Sequence, residues 1–365
     1  MTPREKEILE LIKINPQISQ EEIGKRLHIT RSSVAVHINH LMNKGYILGR
    51  GYLLKNDPYI AILGGASVDL RGIPEDKLLL EESNPGQFLK APGGVGRNIG
   101  HNLGLLGYPT TMITLLANDR LGQWLMEKGE EVRLSFQHSF IVEGGQTPTY
   151  LEILDESGEM VAAISDMKLL DDFRPEYVEK KREVLEHAEL VIVDTNLPKE
   201  TLEYLFHHIH AHFLVDGVSA TKVLKLNHLL PKIHTLKCNQ HEAEALVGKT
   251  FESEEDMKEG LTHLVQKGLT QVVVTCGKKG AYGYDGKTII HRKAEEVQAK
   301  NATGAGDAFT AGFAYGMVKG WDLGQCLGFA TGTSLVALES EEANPKTLTE
   351  EEVMKKAGGI DDVRF

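Results

Sequence analysis

The residues best placed to do chemistry form the run Asn301-Ala-Thr-Gly-Ala-Gly-Asp307, which leads into a small-residue, helix-compatible stretch over 308–318. Gly304 and Gly306 would let backbone approach an anion closely. A helix starting there would aim unpaired N–H groups and its positive dipole end at the same point. Asp307 would repel a phosphate as a ligand. As a base, it could take the proton of a hydroxyl lying beside a bound phosphoryl group. Taken alone, the run is equally a tight glycine turn with an aspartate early in a helix. A second cluster, Ala91-Pro-Gly-Gly-Val-Gly-Arg-Asn98, precedes another helix, and Gly64-Gly-Ala-Ser-Val-Asp69 follows a strand and sets an acid at its mouth. Carboxylate plus amide suits sugar hydroxyls, which need acceptors and donors together. The second cluster is not a dinucleotide fingerprint, because the correctly spaced third glycine is missing and no strand leads directly into it.

These residues need elements to position them. Apolar runs at 59–63, 190–193, 213–215 and 271–275 read as short strands, each followed by polar or glycine residues. Stretches of helical period lie between them, including 98–106, 176–186 and 254–266. That order predicts an α/β domain with a largely parallel central sheet, and ligands in such sheets bind beyond the carboxyl ends of the strands. The chain of 365 residues has 40 basic and 52 acidic side chains, a formal charge of −12 that as a whole argues against nucleic-acid binding. The charge is uneven. Residues 1–55 carry nine Lys/Arg against five acids, +4, leaving −16 for the rest, and the polar joint Asn56-Asp57-Pro58 divides the two.

The small segment predicts three helices and a hairpin. Ile8, Leu11 and Ile12 line a first helix that stops near Asn15-Pro16. Ser19 and Glu22 read as a capping box for a second, with Ile23 and Leu27 inward. Thr30 caps a third, with Val34, Ile38 and Leu41 inward, and 46–54 reads as a short hairpin. The segment resembles the winged helix-turn-helix family over nearly all its length. The resemblance implies that the third helix enters the major groove through Arg31, Ser32, Ser33 and His37, with Lys44 and Arg50 near phosphates. A helical domain used only for dimer contacts is the other reading.

Over 59–345 the paired runs GGVGRN (93–98) and NATGAGD (301–307) resemble the two signatures of the PfkB, or ribokinase-like, carbohydrate and nucleoside kinases. The resemblance implies a ribokinase-like central sheet flanked by helices, with a small β lid over the sugar site and the winged helix domain (1–55) preceding a kinase domain (59–365). It also implies ATP-dependent phosphorylation of a primary hydroxyl. Asp307 matches the family's base, and the 304–306 turn, with the Ala305 and Gly306 amides, its anion hole. Asp69, Gly93, Gly94 and Asn98 match sugar-binding positions. Asn239, Thr275 and Gly277 match nucleotide-binding ones, and Glu242, in Asn-x-x-Glu, matches the residue that organises Mg²⁺ through water. Many relatives begin the second signature with Asp. Asn301 in its place counts against a monovalent-cation (K⁺) site here.

Several further segments, Glu82-Ser-Asn-Pro-Gly86 and Ile164-Ser-Asp-Met167 among them, are similar to the pseudouridine kinase branch. That similarity sets Thr149, Tyr150 and Asp166 in or near the lid as substrate-binding residues that meet the base or ribose, and implies a nucleoside, pseudouridine first, as substrate. It also suggests a homodimer through the lid. Ribose or a hexose as substrate, and a DNA-binding regulator whose kinase fold only senses its ligand, are the alternatives. Other patterns fail: Gly248-Lys-Thr250 lacks the Walker A glycine at Ala243, and the histidines at 207, 208, 210 and 212 read as a solvated helix end. Three scattered cysteines, no apolar leader and no run long enough to span a bilayer lead to the expectation of a cytoplasmic protein without membrane contact.

Overall fold

The computed structural model describes residues 1–365 except 16–17, 45, 48–57, 295–296, 298, 301–302, 341, 343, 359–361 and 365. Residues 48–54 of the expected 46–54 hairpin, Asn301 and most of the 56–58 joint lie outside the described residues, Arg50 among them.

In the N-terminal segment, helices Pro3–Ile14, Gln20–Leu27 and Arg31–Asn43 are capped by Thr2, Ser19 and Thr30. Each cap oxygen takes a backbone N–H that the first helical turn leaves unpaired. Ile8, Leu9, Ile12, Ile23, Val34, Ile38 and Leu41 close a core of their own, with Leu11 and Leu27 at its rim. The capping box at Ser19 forms only by half. Ser19 accepts from the Glu22 N–H, but the Glu22 carboxylate turns to Arg26 at 3.0 Å, one turn on, where a full opposite charge outcompetes a backbone N–H. The full box appears instead at Thr2 and Glu5.

The larger part is built on a ten-stranded sheet. Strands Leu134–Ser135, Thr110–Ile113, Ile60–Leu63, Leu190–Asp194, Phe213–Asp216, Thr235–Asn239 and Gln271–Thr275 lie side by side in that order, all parallel. Ala281–Tyr284, Ile289–Arg292 and Asp362–Arg364 extend it antiparallel. Period-two alternation sorts the strand residues into two layers. Ala61, Leu63, Val191, Val193, Val215, Leu236, Val272 and Val274 pack on one side of the sheet. Ile60, Ile62, Leu190, Ile192, Leu214 and Val273 pack on the other, against Ile99 and Leu103 of helix Val95–Leu105 and Phe309 and Phe313 of helix Ala305–Val318. The expected 176–186 helix is two, Pro175–Lys180 and Arg182–Glu186. In one continuous helix Val184 would lie about 240° round from Val178. The break at Lys181 turns Val178, Val184 and Leu185 into the same layer.

Chain order runs outward in both directions from Ile60–Leu63, so the switch point falls between this strand and Leu190–Asp194. That crevice is where an open α/β sheet binds its ligands. A second sheet, Gly86–Gly93, Ser67–Pro74, Thr149–Leu154 and Met160–Asp166, is the expected lid. The register gathers Leu70, Phe88, Leu151 and Ile164 on one of its faces, and Phe88 and Ile164 are 80% and 66% exposed. No helix among the described residues is long and apolar enough to cross a membrane.

Candidate active site

The strand ends determine what meets at the switch point. Asp194 pairs in register with Asp216, and Asp216 with Lys237, so three ionisable side chains stand in a row on the face that carries helices Val95–Leu105 and Ala305–Val318. Asp194 is fully buried. Its Oδ2 accepts from the Gly65 N–H at 2.8 Å and the Gly96 N–H at 2.9 Å, and its Oδ1 from the Asn196 N–H at 2.9 Å. One carboxylate thereby pins the loop after the first strand to the GGVGRN turn. Gly64 and Gly96 leave the room: a Cβ on either would come within 2.3 Å and 3.0 Å of Asp194 Oδ2. The neighbouring glycines serve differently. A Cβ at Gly93 would meet Asp69 Oδ1 at 2.2 Å, and Gly94, at φ 93°, lies 2.6 Å by the same measure from the Gly65 carbonyl.

Helix Ala305–Val318 starts at Gly304, whose φ of 83° is the left-handed conformation glycine adopts without strain. The helix opens with N–H groups that have no partner within the helix, the arrangement that receives anions. Asp307 sits in this first turn, half-buried. Its Oδ2 accepts from Asn98 Nδ2 at 2.8 Å. Burial pushes the Asp307 carboxyl up to about 7, and the Asp216 charge adds to the rise against the opposing pull of Asn98 and Lys237. A carboxyl poised near neutrality is suited to accept a proton from a hydroxyl.

Asn98 cannot turn round. Its Oδ1 receives Asn344 Nδ2 at 2.9 Å and Arg97 Nη1 at 3.2 Å, which leaves its amide N–H₂ to face Asp307. Arg97 is itself buried, bonded to the Pro92 carbonyl and to His101 Nδ1 at 3.0 Å. His101 reaches the Pro345 carbonyl at 3.0 Å. The loop after helix Leu323–Leu338 thus braces the amide that touches Asp307.

Lys237 Nζ contacts Asp216 Oδ2 at 3.0 Å, and a Cβ built on Gly306 would lie 3.4 Å from the same ammonium. A positive charge therefore sits just under the Gly304–Asp307 turn. Burial works to discharge Lys237, but the Asp216, Glu242 and Asp307 carboxylates overcome it and hold the amine above the ordinary lysine range. Asn239 caps helix Gln240–Val247 in a reciprocal box with Glu242, whose buried carboxyl is raised by burial. Glu242 alone is one hard oxygen donor partly used by its cap. It fits a magnesium ion held through water and nucleotide phosphates rather than by a protein cage.

The sequence-identified residues do not all converge. Asp69, Gly93, Gly94, Asn98 and the 304–307 turn share the mouth of the crevice, with Asn239 and Glu242 at a neighbouring strand end. Thr275 is paired with Asn239 across the adjacent strands, and Gly277 lies in the turn that follows. Thr149 and Asp166 are a cross-strand pair in register with Val68, on the lid face opposite Asp69. In the small domain Arg31 and Ser32 are exposed, and Ser32 and Ser33 each share a hydrogen bond with the capping Thr30 hydroxyl. His37 is half-buried with a ring nitrogen within 4.8 Å of a Glu5 carboxylate oxygen, while Lys44 is spent on Glu5 at 2.8 Å. Asp194, Asp216, Lys237 and Asn344 went unassigned from sequence. The first two carried a signal, as the acids that end apolar strands.

Residues 57–350 match the model of the pfkB family carbohydrate kinases, and residues 1–47 match a winged helix-turn-helix DNA-binding model. The uncharacterized sugar kinase YeiI of Escherichia coli K12 is 35% identical over 352 residues, 96% of this chain and 97% of that one. The pseudouridine kinase of the same organism is 34% identical over 298 residues, 81% of this chain and 95% of that one. Among solved structures, a carbohydrate kinase from Agrobacterium tumefaciens superposes with a TM-score of 0.76 at 26% identity, covering 84% of this chain and all of that one. Replacing Asn344 by Ala removes one of two donors that orient Asn98. The expected result is turnover reduced on the order of five- to tenfold, about one hydrogen bond's worth, with nucleotide affinity unchanged in a binding assay. Undiminished turnover would show that Asn98 needs no brace.

Proposed function

The chain belongs to the pfkB family of carbohydrate kinases, as a sugar or nucleoside kinase, and from that premise we propose that it phosphorylates the 5′-hydroxyl of a nucleoside, pseudouridine first. The observation that carries the chemistry is the position of Asp307. It is a carboxylate raised toward neutrality, set in the first turn of an anion-receiving helix and oriented by Asn98. Asp307 takes the hydroxyl proton as the oxygen attacks the γ-phosphorus of ATP. The new O–P bond forms while the bond from phosphorus to the β,γ-bridging oxygen breaks, and ADP leaves. The N–H groups of the 304–307 turn and the Lys237 ammonium hold the charge that gathers on the transferred group, so catalysis is positioning and electrostatics. Asp69, Gly93, Gly94 and Asn98 hold the ribose, and Thr149 and Asp166 shape the lid. Asn239, Thr275 and Gly277 line the nucleotide. Glu242 would hold magnesium through water, and the ion would neutralise phosphate charge there.

The choice of nucleoside rests on the likeness to the Escherichia coli pseudouridine kinase. A ligand sensor without turnover has no use for a base, so the intact Asp307 favours an enzyme. Two further readings belong to this proposal. The exposed apolar lid face around Phe88 and Ile164 is the contact of a homodimer, and the protein works in the cytoplasm, where ATP is at hand. The N-terminal domain binds DNA through the start of helix Arg31–Asn43, which couples the kinase to an operator.

ATP consumption measured over pseudouridine, uridine, inosine, ribose and fructose tests the substrate: pseudouridine gives the highest kcat/KM, and turnover confined to a free hexose would overturn the nucleoside reading. Asp307→Asn lowers turnover by about a thousandfold. In the wild type the rate falls as pH drops through about 7, because the base must be ionised to act. Binding of the full chain to its own upstream DNA weakens steeply with salt, and Arg31→Ala weakens it further. Salt-insensitive binding, or none, would leave the small domain a dimerisation module.

A further inference from the structure

Asp216 takes no part in the chemistry just described, yet it is one of the most heavily engaged side chains in the crevice. It is 2% exposed. Its Oδ2 faces two donors, the Lys237 ammonium at 3.0 Å and the Thr310 hydroxyl at 2.7 Å, and its Oδ1 accepts the Val218 N–H at 3.0 Å. The three donors come from three places: the next strand, the helix that carries Asp307, and the loop after the strand that Asp216 itself ends.

The third donor is held at a cost. Val218 has φ of 60°, a left-handed conformation that a β-branched side chain rarely adopts. Strain of this kind persists only where surrounding structure imposes it, and it gathers at functional sites. Here it brings the Val218 N–H onto Asp216. Thr310 stands one turn beyond Asp307 on helix Ala305–Val318, and its hydroxyl also contacts the Gly306 carbonyl at 3.1 Å. Asp216 therefore grips the helix directly beneath the anion-receiving turn. Lys237, gripped by the same oxygen, lies 3.4 Å from where a Gly306 Cβ would be.

We propose that Asp216 is a positioning residue for phosphoryl transfer, which locks the Lys237 ammonium and the start of helix Ala305–Val318 to each other so that the positive charge stays under the turn and away from the base. Lys237 has three carboxylates near it, Asp216, Glu242 and Asp307. With Asp216 neutral, the ammonium is free to turn to Asp307 and quench the base it is meant to assist. The charged groups that face Asp307 are Asp216 and Lys237 from the adjacent strand ends and Asp194 from the next, with Asn98 as its hydrogen-bond donor. Removing the Asp216 charge takes away a like charge, and the released Lys237 adds an opposite one. Both changes lower the proton affinity of Asp307.

The inference rests on the kinase reading of the site but not on which acceptor is used. The test takes the full-length protein with ATP–Mg²⁺ and its best acceptor from the screen, nucleoside or sugar. Asp216→Asn, close in shape, is compared with Lys237→Met and with the double variant. The expected kcat of Asp216→Asn is about a hundredfold below wild type, the scale of losing one aligned charge-stabilising group, with the acceptor KM within about threefold. The acid limb of kcat/KM moves to lower pH, because the base now ionises more readily. The double variant is no slower than Lys237→Met alone, since Asp216 acts through that residue.

Losses that multiply in the double variant, a pH profile that drops without moving, or wild-type turnover in Asp216→Asn would each overturn the proposal. Should Asp216→Asn fail to fold, Thr310→Val carries the test. It removes one partner of Asp216 and keeps every charge, and is expected to lower kcat about tenfold while leaving the acid limb in place. Full turnover in Thr310→Val overturns the proposal too. A screen in which only sugars react, with Asp216→Asn behaving as expected on a sugar, would overturn the nucleoside reading and leave this one standing.

Discussion

Everything in the large domain is arranged around one electrostatic difficulty: three carboxylates, Asp194, Asp216 and Asp307, are crowded into the low-dielectric space at the carboxyl ends of the strands. Charges there are stabilised only when they are paired or richly hydrogen-bonded. The three meet this requirement in different ways. Asp194 is ringed by backbone N–H groups, Asp216 is matched by Lys237 and two further donors, and Asp307 has a single amide. The least hydrogen-bonded of the three is the one that stands in the anion-receiving turn. Burial and the neighbouring Asp216 charge raise the Asp307 carboxyl toward neutrality, which suits it to the proposed role of base.

The glycine signatures follow from the same constraint. Gly64 and Gly96 make way for Asp194, Gly93 for Asp69, and Gly306 leaves the Lys237 ammonium directly beneath an open turn. These glycines give acids and bases room as much as they give backbone freedom. Gly94 and Gly304 are the positions where a positive φ decides the matter. The brace from Arg97 and Asn344 to Asn98 has the same logic one layer further out, because an amide able to flip would present an oxygen to a carboxylate.

Much of this was legible in the sequence, and the limits have physical causes. Asp307, Gly304, Asn98 and Asp69 stand in short local runs whose glycines, acids and amide mark them as candidate site residues. The strands at 190–193 and 213–215 were readable as short apolar runs, each one residue short of its end. Those missing residues, Asp194 and Asp216, are the ones that matter, and their meaning depends on register with strands far away in the chain. Lys237 carries no local signal, since nothing in its neighbourhood in the chain says that it lies beneath the turn at Gly306. Asn344 follows a helix with no motif around it. At Ser19 the local pattern was right for a cap and wrong for a box, because Arg26 competes for Glu22. The charge changes sign near residue 56, between the stretches 1–47 and 57–350 that match separate family models.

The protonation of Asp307 in the resting enzyme decides whether these strand ends hold a poised base. Proton release by the wild type, measured by potentiometric titration and differenced against Asp307→Asn, isolates that one group. A difference of one proton leaving near pH 7 is the predicted result. A difference centred in the ordinary carboxylate range would contradict the account, for it would mean that the crowded strand ends do not hold the base poised.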